Sequence, residues 1–67
     1  MKIILRDMRI KRGWNQQELS RRSAVPQPMI SEIESGTVPN PRVGTLYKLA
    51  RALRCAMEDL IVDEDSA

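Results

Sequence analysis

The lack of any internal cross-link is the feature that most constrains how this chain can fold. Cys55 is the only cysteine among its 67 residues, so no disulfide can form within the chain. A chain of this length buries only about 60% of the surface that its unfolded form exposes, and apolar burial barely offsets the loss of chain entropy. The chain therefore needs well-formed secondary structure, or a partner or second copy that adds buried surface.

The residue types that are missing exclude several kinds of active site. The chain has no histidine, which rules out Cys/His and Ser/His/Asp catalysis and the mixed Cys/His zinc sites. No glycine-rich phosphate loop is present either. We therefore expect no enzymatic activity, no metal and no cofactor. The longest apolar run near the start, residues 3–5, is far shorter than a signal peptide or membrane span requires, and the unpaired thiol suits a reducing cytoplasm.

Charge is unevenly distributed along the sequence. Residues 1–54 hold all eleven Lys and Arg and four acidic residues, a net charge of +7, whereas residues 55–67 hold five acidic residues and no base, a net charge of −5. A basic body favours binding to a polyanion. On charge alone, a solvated surface with a solubilising tail is equally consistent. We expect a folded domain over residues 1–62 and a flexible acidic tail over residues 63–67.

Apolar spacing, together with the positions of glycine and proline, predicts five short helices. The expected segments cover about residues 2–12, 15–23, 26–35, 42–53 and 57–62. Asn15 is predicted to cap the second helix, with Glu18 reaching back to the Asn15 amide. Strand signals are weak, because no stretch alternates apolar and polar residues. The predicted fold is a compact all-α domain.

The apolar stripes of these helices define the expected core. Its members are Leu5, Met8, Leu19, Val25, Ile30, Ile33, Leu46, Leu49, Ala50, Leu53, Cys55 and Leu60. Trp14, just before the cap, is expected to pack over the core near Leu19. Cys55 is interpreted as a packed apolar thiol, not as a reactive or metal-binding group.

The second and third segments are the most informative pair. A short capped helix, a tight turn and a helix that opens with polar residues are typical of a helix-turn-helix. The run WNQQELSRRSAVPQPMISEIESG, with the later runs NPRVGTL, LARAL and MEDL, resembles the Cro/repressor, or Xre-type, helix-turn-helix family. The resemblance covers about residues 3–62 and implies a compact five-helix, lambda-repressor-like domain.

Four positions depart from the usual pattern of that family. Glycine is usual where this chain has Ala24 and Arg54, and Ser or Thr is usual where it has Pro26 and Ala56. Ala24 is strained if its φ is positive, and Pro26 offers no side-chain oxygen for a cap. These departures affect the local helix ends.

The resemblance implies that the third helix is a recognition helix that enters the DNA major groove. The expected base contacts are Gln27, Pro28, Met29 and Glu32. The Gln27 amide can bond adenine N6 and N7, and the carboxylate of Glu32 can accept from cytosine N4. Pro28 and Met29 can contact a thymine methyl. The plainer alternatives are an exposed first-turn residue for Gln27, a core residue for Met29 and a solvated acid for Glu32.

A second set of residues is expected to contact DNA phosphates. Its members are Asn15, Gln16, Ser35, Thr37, Asn40 and Arg42. Gln16 matches the family's phosphate-binding glutamine, and the start of a helix presents free amides and a positive dipole end to an anion. Arg42 is the strongest loop candidate by charge. The alternative is that these polar residues only cap loops and helix ends.

Arg9 and Glu34 each lie at the edge of an apolar stripe. A half-buried carboxylate needs a partner, and the guanidinium fork of arginine suits it best. The family commonly pairs these two positions. We expect a structural salt bridge that joins the first helix to the recognition helix.

The expected function is that of a sequence-specific transcriptional regulator, a repressor associated with the nucleoid. It would bind double-stranded DNA as a homodimer at a pseudo-palindromic operator, with recognition helices about 34 Å apart. The dimer contact is expected near the C-terminal helices, at Tyr47, Met57, Ile61 and Val62, with monomeric packing as the alternative. The competing function is an antitoxin or accessory module that binds a protein partner and uses DNA binding for autoregulation.

Overall fold

A computed structural model describes residues 2–62. Its elements are β1 (Lys2–Ile3), α1 (Leu5–Lys11), α2 (Gln16–Ser23), α3 (Gln27–Ser35), α4 (Val43–Leu53), a 3-10 helix (Met57–Leu60) and β2 (Ile61–Val62). Among these helices, none is long and apolar enough to cross a membrane. The acidic tail expected over residues 63–67 lies outside the described residues.

The all-α class is as expected, but the fifth expected segment, residues 57–62, is not a regular α-helix. The structure has four α-helices and one 3-10 helix, and its first and last expected segments include strands. β1 pairs antiparallel with β2, with Lys2 opposite Val62 and Ile3 opposite Ile61. The apolar spacing of residues 57–62 is too short to distinguish a helix from an extended pair. Pairing with β1 gives the backbone of β2 the hydrogen bonds that a helix would otherwise supply.

The start of α2 is fixed by its cap. The side chain of Asn15 accepts a hydrogen bond from the Glu18 N–H at 2.7 Å, which confirms the predicted cap. The Asn15 N–H does not donate to the Glu18 carboxylate, so the reciprocal bond of the predicted cap is not formed. That carboxylate instead accepts hydrogen bonds from Arg21 and Arg22, three and four residues later on α2.

Two helices end at residues other than glycine that adopt the left-handed conformation. Ala24 has φ of 61° and Arg54 has φ of 56°, at the two positions where the family usually has glycine. Each costs roughly 1 kcal/mol relative to a residue without a Cβ. The turn after α2 still forms, since the Ala24 N–H donates to the Ser20 carbonyl at 2.9 Å.

The core lies between α2, α3 and α4, and is closed by α1 and the 3-10 helix. Its buried apolar residues are Leu5, Leu19, Val25, Ile30, Ile33, Leu46, Leu49, Ala50, Leu53 and Leu60. Met8 and Cys55, also expected there, are half-buried and pack against this cluster. Trp14 packs there too, and the guanidinium of Arg22 lies 4.4 Å from the centre of its ring. Burial, with the nearby charge of Asp59, raises the pKa of the Cys55 thiol.

Candidate nucleic-acid interface

The turn between α2 and α3 fixes the orientation of α3. Only residues 24–26 separate the two helices. The Ser20 hydroxyl donates to the Val25 carbonyl at 2.6 Å, and the Val25 side chain is buried in the core. Pro26 stands at the N-cap of α3 and provides no side-chain hydrogen bond. The turn is therefore held by core packing and by α2, not by a capping side chain on α3.

One side of α3 is buried and the other is exposed. Ile30 and Ile33 are buried in the core. The exposed residues are Gln27, Pro28, Ser31, Glu32 and Ser35. Because successive helical residues turn by about 100°, these exposed side chains form one continuous strip, which we call the α3 strip. A helix anchored by one side and exposed on the other has the form needed for insertion into a major groove.

Three of the four predicted base contacts lie on the α3 strip. Met29 does not, because it is half-buried and packs against the core cluster. This position matches the alternative considered for Met29 from the sequence, which was a core residue and not a base contact. Ser31 lies on the strip but was not among the predicted contacts. Its position four residues after Gln27 on the same helix is the signal that identifies it.

Gln16, the first residue of α2, connects the α3 strip to the interior. Its Nε2 donates to Glu34 Oε1 at 3.2 Å, and its Oε1 accepts from Gln27 Nε2 at 3.5 Å. The second contact is at the outer limit of a hydrogen bond and is readily exchanged for another partner. Asn15, in contrast, uses its side-chain oxygen for the helix cap.

The structure brings Arg9 and Glu34 together in a two-pronged ion pair. Arg9 donates from Nε to Glu34 Oε2 at 2.8 Å and from Nη2 to Oε1 at 2.9 Å. Its Nη1 donates to the Trp14 carbonyl at 2.9 Å. The two side chains are only 12% and 6% exposed. The pair therefore holds α1, α3 and the segment before α2 in one arrangement.

Glu34 remains ionised in this setting. Burial is the largest single influence and opposes ionisation, but hydrogen bonds from Arg9 and Gln16, with the charges of Arg9 and Arg6, outweigh it. The pKa of Glu34 consequently lies below its ordinary value. The same pairing raises the pKa of Arg9, mainly through its hydrogen bond to Glu34.

The predicted phosphate contacts at the end of α3 and in the loop after it are all exposed. Ser35 donates to the Glu32 carbonyl at 3.1 Å, and its hydroxyl lies 2.9 Å from that of Thr37. These two residues therefore do the capping work that the alternative interpretation describes. Asn40 and Arg42 are exposed, and their side chains make no hydrogen bond or ion pair with any part of residues 2–62.

Over residues 2–62, no three His, Cys, Asp or Glu side chains are grouped as metal ligands would be.

Arg6, which was not among the predicted site residues, lies beside Arg9, Gln16 and Glu34 on the border of the α3 strip. Its place one turn before Arg9 on α1 is the signal that identifies it.

Comparison with known proteins identifies the family of this chain. A family model described as helix-turn-helix matches residues 5–60. An uncharacterised HTH-type transcriptional regulator from Archaeoglobus fulgidus is 34% identical over 65 residues, which cover 97% of this chain and 91% of the relative. Another from Sinorhizobium fredii is 38% identical over 58 residues, covering 87% of this chain and 74% of the relative. No solved structure matches with comparable significance. The family is one of regulators, not of enzymes. The chain therefore belongs to the Xre-type helix-turn-helix family of DNA-binding transcriptional regulators.

Proposed function

We propose that this chain recognises a specific DNA sequence by placing the α3 strip in the major groove. Gln27 bonds an adenine, Pro28 packs on a thymine methyl, and Ser31 and Glu32 contact neighbouring base edges. The observation that carries the proposal is the 3.5 Å contact between the amides of Gln27 and Gln16. This contact supports the proposal because the two amides lie side by side although each belongs to a different helix of the turn.

Phosphate contacts fix the register of α3 in the groove. Gln16 and the first amides of α2 bind one phosphate, and the available side chains of Asn40 and Arg42 bind others along the loop that leads to α4. Contacts of this kind supply affinity that depends on salt, whereas the α3 strip supplies sequence preference. Ser35 and Thr37 contribute by shaping the loop.

The active form is a homodimer that represses transcription. Val43 is 70% exposed and Tyr47 is 53% exposed, and their four-residue spacing puts both on one side of α4. Met57 and Ile61, in contrast, pack against the core, so the dimer contact proposed here centres on α4. A two-fold pair places two copies of α3 in successive major grooves about 34 Å apart. Binding at a pseudo-palindromic operator then blocks polymerase.

Selection of bound sequences from random duplex DNA tests the mode of recognition. The wild-type chain should enrich a motif with two related half-sites. Gln27→Ala should lose the preference at one position of each half-site, while the matched control Gln17→Ala, an exposed glutamine of α2 outside the α3 strip, should enrich an unchanged motif. If the wild-type chain enriches no motif, DNA recognition by α3 is wrong, and the protein-binding function becomes the better explanation.

Sedimentation equilibrium tests the dimer contact independently. The double variant Val43→Asp/Tyr47→Asp should sediment as a monomer and lose cooperative binding to the two half-sites. Because both side chains are exposed, its free energy of unfolding at low protein concentration should match that of the wild-type monomer. A double variant that still forms the dimer would show that the copies meet elsewhere.

A further inference from the structure

A polar cleft borders the α3 strip between α1, the start of α2 and α3. The side chains that line it are Arg6, Arg9, Gln16, Ser31, Glu34 and Ser35. None of them is apolar, so the cleft suits a charged or hydrogen-bonding ligand and not an apolar one. Gln16 and Ser31 are also groups to which DNA contacts have been assigned above, so DNA on the α3 strip passes the mouth of this cleft.

The charges within the cleft leave one cation available. Arg9 is committed to Glu34 and to the Trp14 carbonyl, and its side chain is only 12% exposed. The opposite charges of Arg9 and Glu34 cancel each other. Arg6 is exposed, and over residues 2–62 its guanidinium has neither an ion-pair nor a hydrogen-bond partner. The cleft therefore presents a net positive charge that belongs to Arg6.

We propose that Arg6 binds a DNA backbone phosphate at this cleft, which makes α1 a DNA-contacting element in addition to α2, α3 and the loop before α4. The proposal rests on the mode of DNA binding proposed above. A guanidinium binds two phosphate oxygens through parallel N–H groups, and an exposed arginine on a rigid helix can reach one with little rearrangement. This contact carries no sequence information and acts on affinity alone.

The test compares Arg6→Gln with a matched control on the same helix. Lys11→Gln removes the same charge, but Lys11 lies five residues later, about 140° around the helix from Arg6, and does not line the cleft. Dissociation constants are measured for the selected operator and for a scrambled duplex between 50 and 300 mM KCl. One phosphate contact contributes about 0.9 to the slope of log affinity against log salt.

Arg6→Gln should lower the magnitude of that slope by about 0.9, and it should lower the affinity for both duplexes by the same factor. The ratio of the wild-type affinity to the Arg6→Gln affinity should accordingly fall about fivefold between 50 and 300 mM KCl. Lys11→Gln should keep the wild-type slope, and Arg6→Lys should restore it. Ethylation of single phosphates should reveal one phosphate whose neutralisation weakens DNA binding by the wild-type chain but does not weaken DNA binding by Arg6→Gln.

The outcomes separate this proposal from the one on which it rests. Specific binding by the wild-type chain with an unchanged slope for Arg6→Gln overturns the role of Arg6 and leaves recognition by α3 intact. Absence of any specific binding by the wild-type chain overturns both. If Arg6→Gln does not fold, Arg6→Lys and the ethylation pattern of the wild-type chain decide, and a footprint with no protected phosphate beyond those of α2, α3 and the loop overturns the proposal.

Discussion

The Glu34 carboxylate, near the end of α3, accepts two hydrogen bonds from the guanidinium of Arg9 in α1, at 2.8 and 2.9 Å. The remaining contact of Arg9 reaches the Trp14 carbonyl, so one side chain joins three separate parts of the chain. Both side chains are nearly buried, so water replaces the contact poorly if either partner is lost. The pair therefore sets the position of α3 relative to the rest of the interface.

Loss of Arg9 should be among the most damaging single changes outside the apolar core. We expect Arg9→Ala to lower the free energy of unfolding by about 3 kcal/mol, because it leaves the Glu34 carboxylate buried without its partner. Urea denaturation followed by the fluorescence of Trp14, the only tryptophan, measures this directly. The exposed control Lys11→Ala should stay within about 0.5 kcal/mol of the wild type. A loss below 1 kcal/mol for Arg9→Ala would contradict the structural role of the pair.

Acid should weaken this same contact. The pKa of Glu34 is lower in the folded chain than its unfolded value of about 4.3. The stability that Glu34 contributes is thus fully present above pH 4.3 and is lost as the pH falls through the folded-state pKa. The difference in unfolding free energy between the wild type and Glu34→Gln should be constant from pH 7 to 5 and narrow below about pH 4.3. A difference that stays constant down to pH 3 would rule this linkage out.

Substitutions at the left-handed helix ends should change the stability of the fold in opposite directions. Ala24→Gly and Arg54→Gly should each stabilise the fold by about 0.5–1 kcal/mol, because they relieve strain at a positive φ. Gly36→Ala should destabilise it by about 1 kcal/mol. A Cβ at Gly36 would meet no atom within 4 Å, so the backbone conformation alone accounts for the loss. Thermal unfolding of the three variants should show these signs, and stabilisation by Gly36→Ala would refute the argument.

Much of the helical framework could be predicted because each part leaves a local signal. The four-residue apolar spacing of α4 and the oxygen of the Asn15 cap act within one or two turns of helix. The position of Glu34 at the edge of an apolar stripe also indicates that it needs a partner, and the family resemblance identifies that partner as Arg9. Such signals need no knowledge of distant contacts.

The remaining features depend on contacts that the sequence does not display locally. Two-residue strands have no periodicity, so β1 and β2 are defined only by each other. Whether Met29 faces the core or the DNA depends on the rotation of α3 about its axis, which packing against α2 decides. Ser31 and Arg6 carry unremarkable polar side chains whose importance comes from the cleft and strip on which they lie.

Glu32 is the acidic residue of the α3 strip, and its charge should favour specificity over affinity. We expect Glu32→Gln to bind scrambled DNA more tightly, because a repulsion with phosphates is removed, and to lose its preference for cytosine at one position. The ratio of operator to scrambled affinity should fall at least about fivefold, the lower end of the value of one base contact. Fluorescence anisotropy at one salt concentration measures both affinities. Glu58→Gln, an exposed change on the 3-10 helix, should leave the ratio unaltered, and an unaltered ratio for Glu32→Gln would remove Glu32 from the base contacts.

The ribbon of β1 and β2 has a consequence for the order in which the chain folds. It joins Lys2 to Val62, and the Ile4 N–H donates to the Leu60 carbonyl at 2.9 Å beside it. Closing a loop of this length costs more conformational entropy than the pairing of two short strands can offset, unless the helices have already packed together. We expect the ribbon to form last and to open first. Its amides should exchange with solvent faster than those of α4, so the first excursion from the native state opens the ribbon while the Arg9–Glu34 pair still holds α1 against the recognition helix.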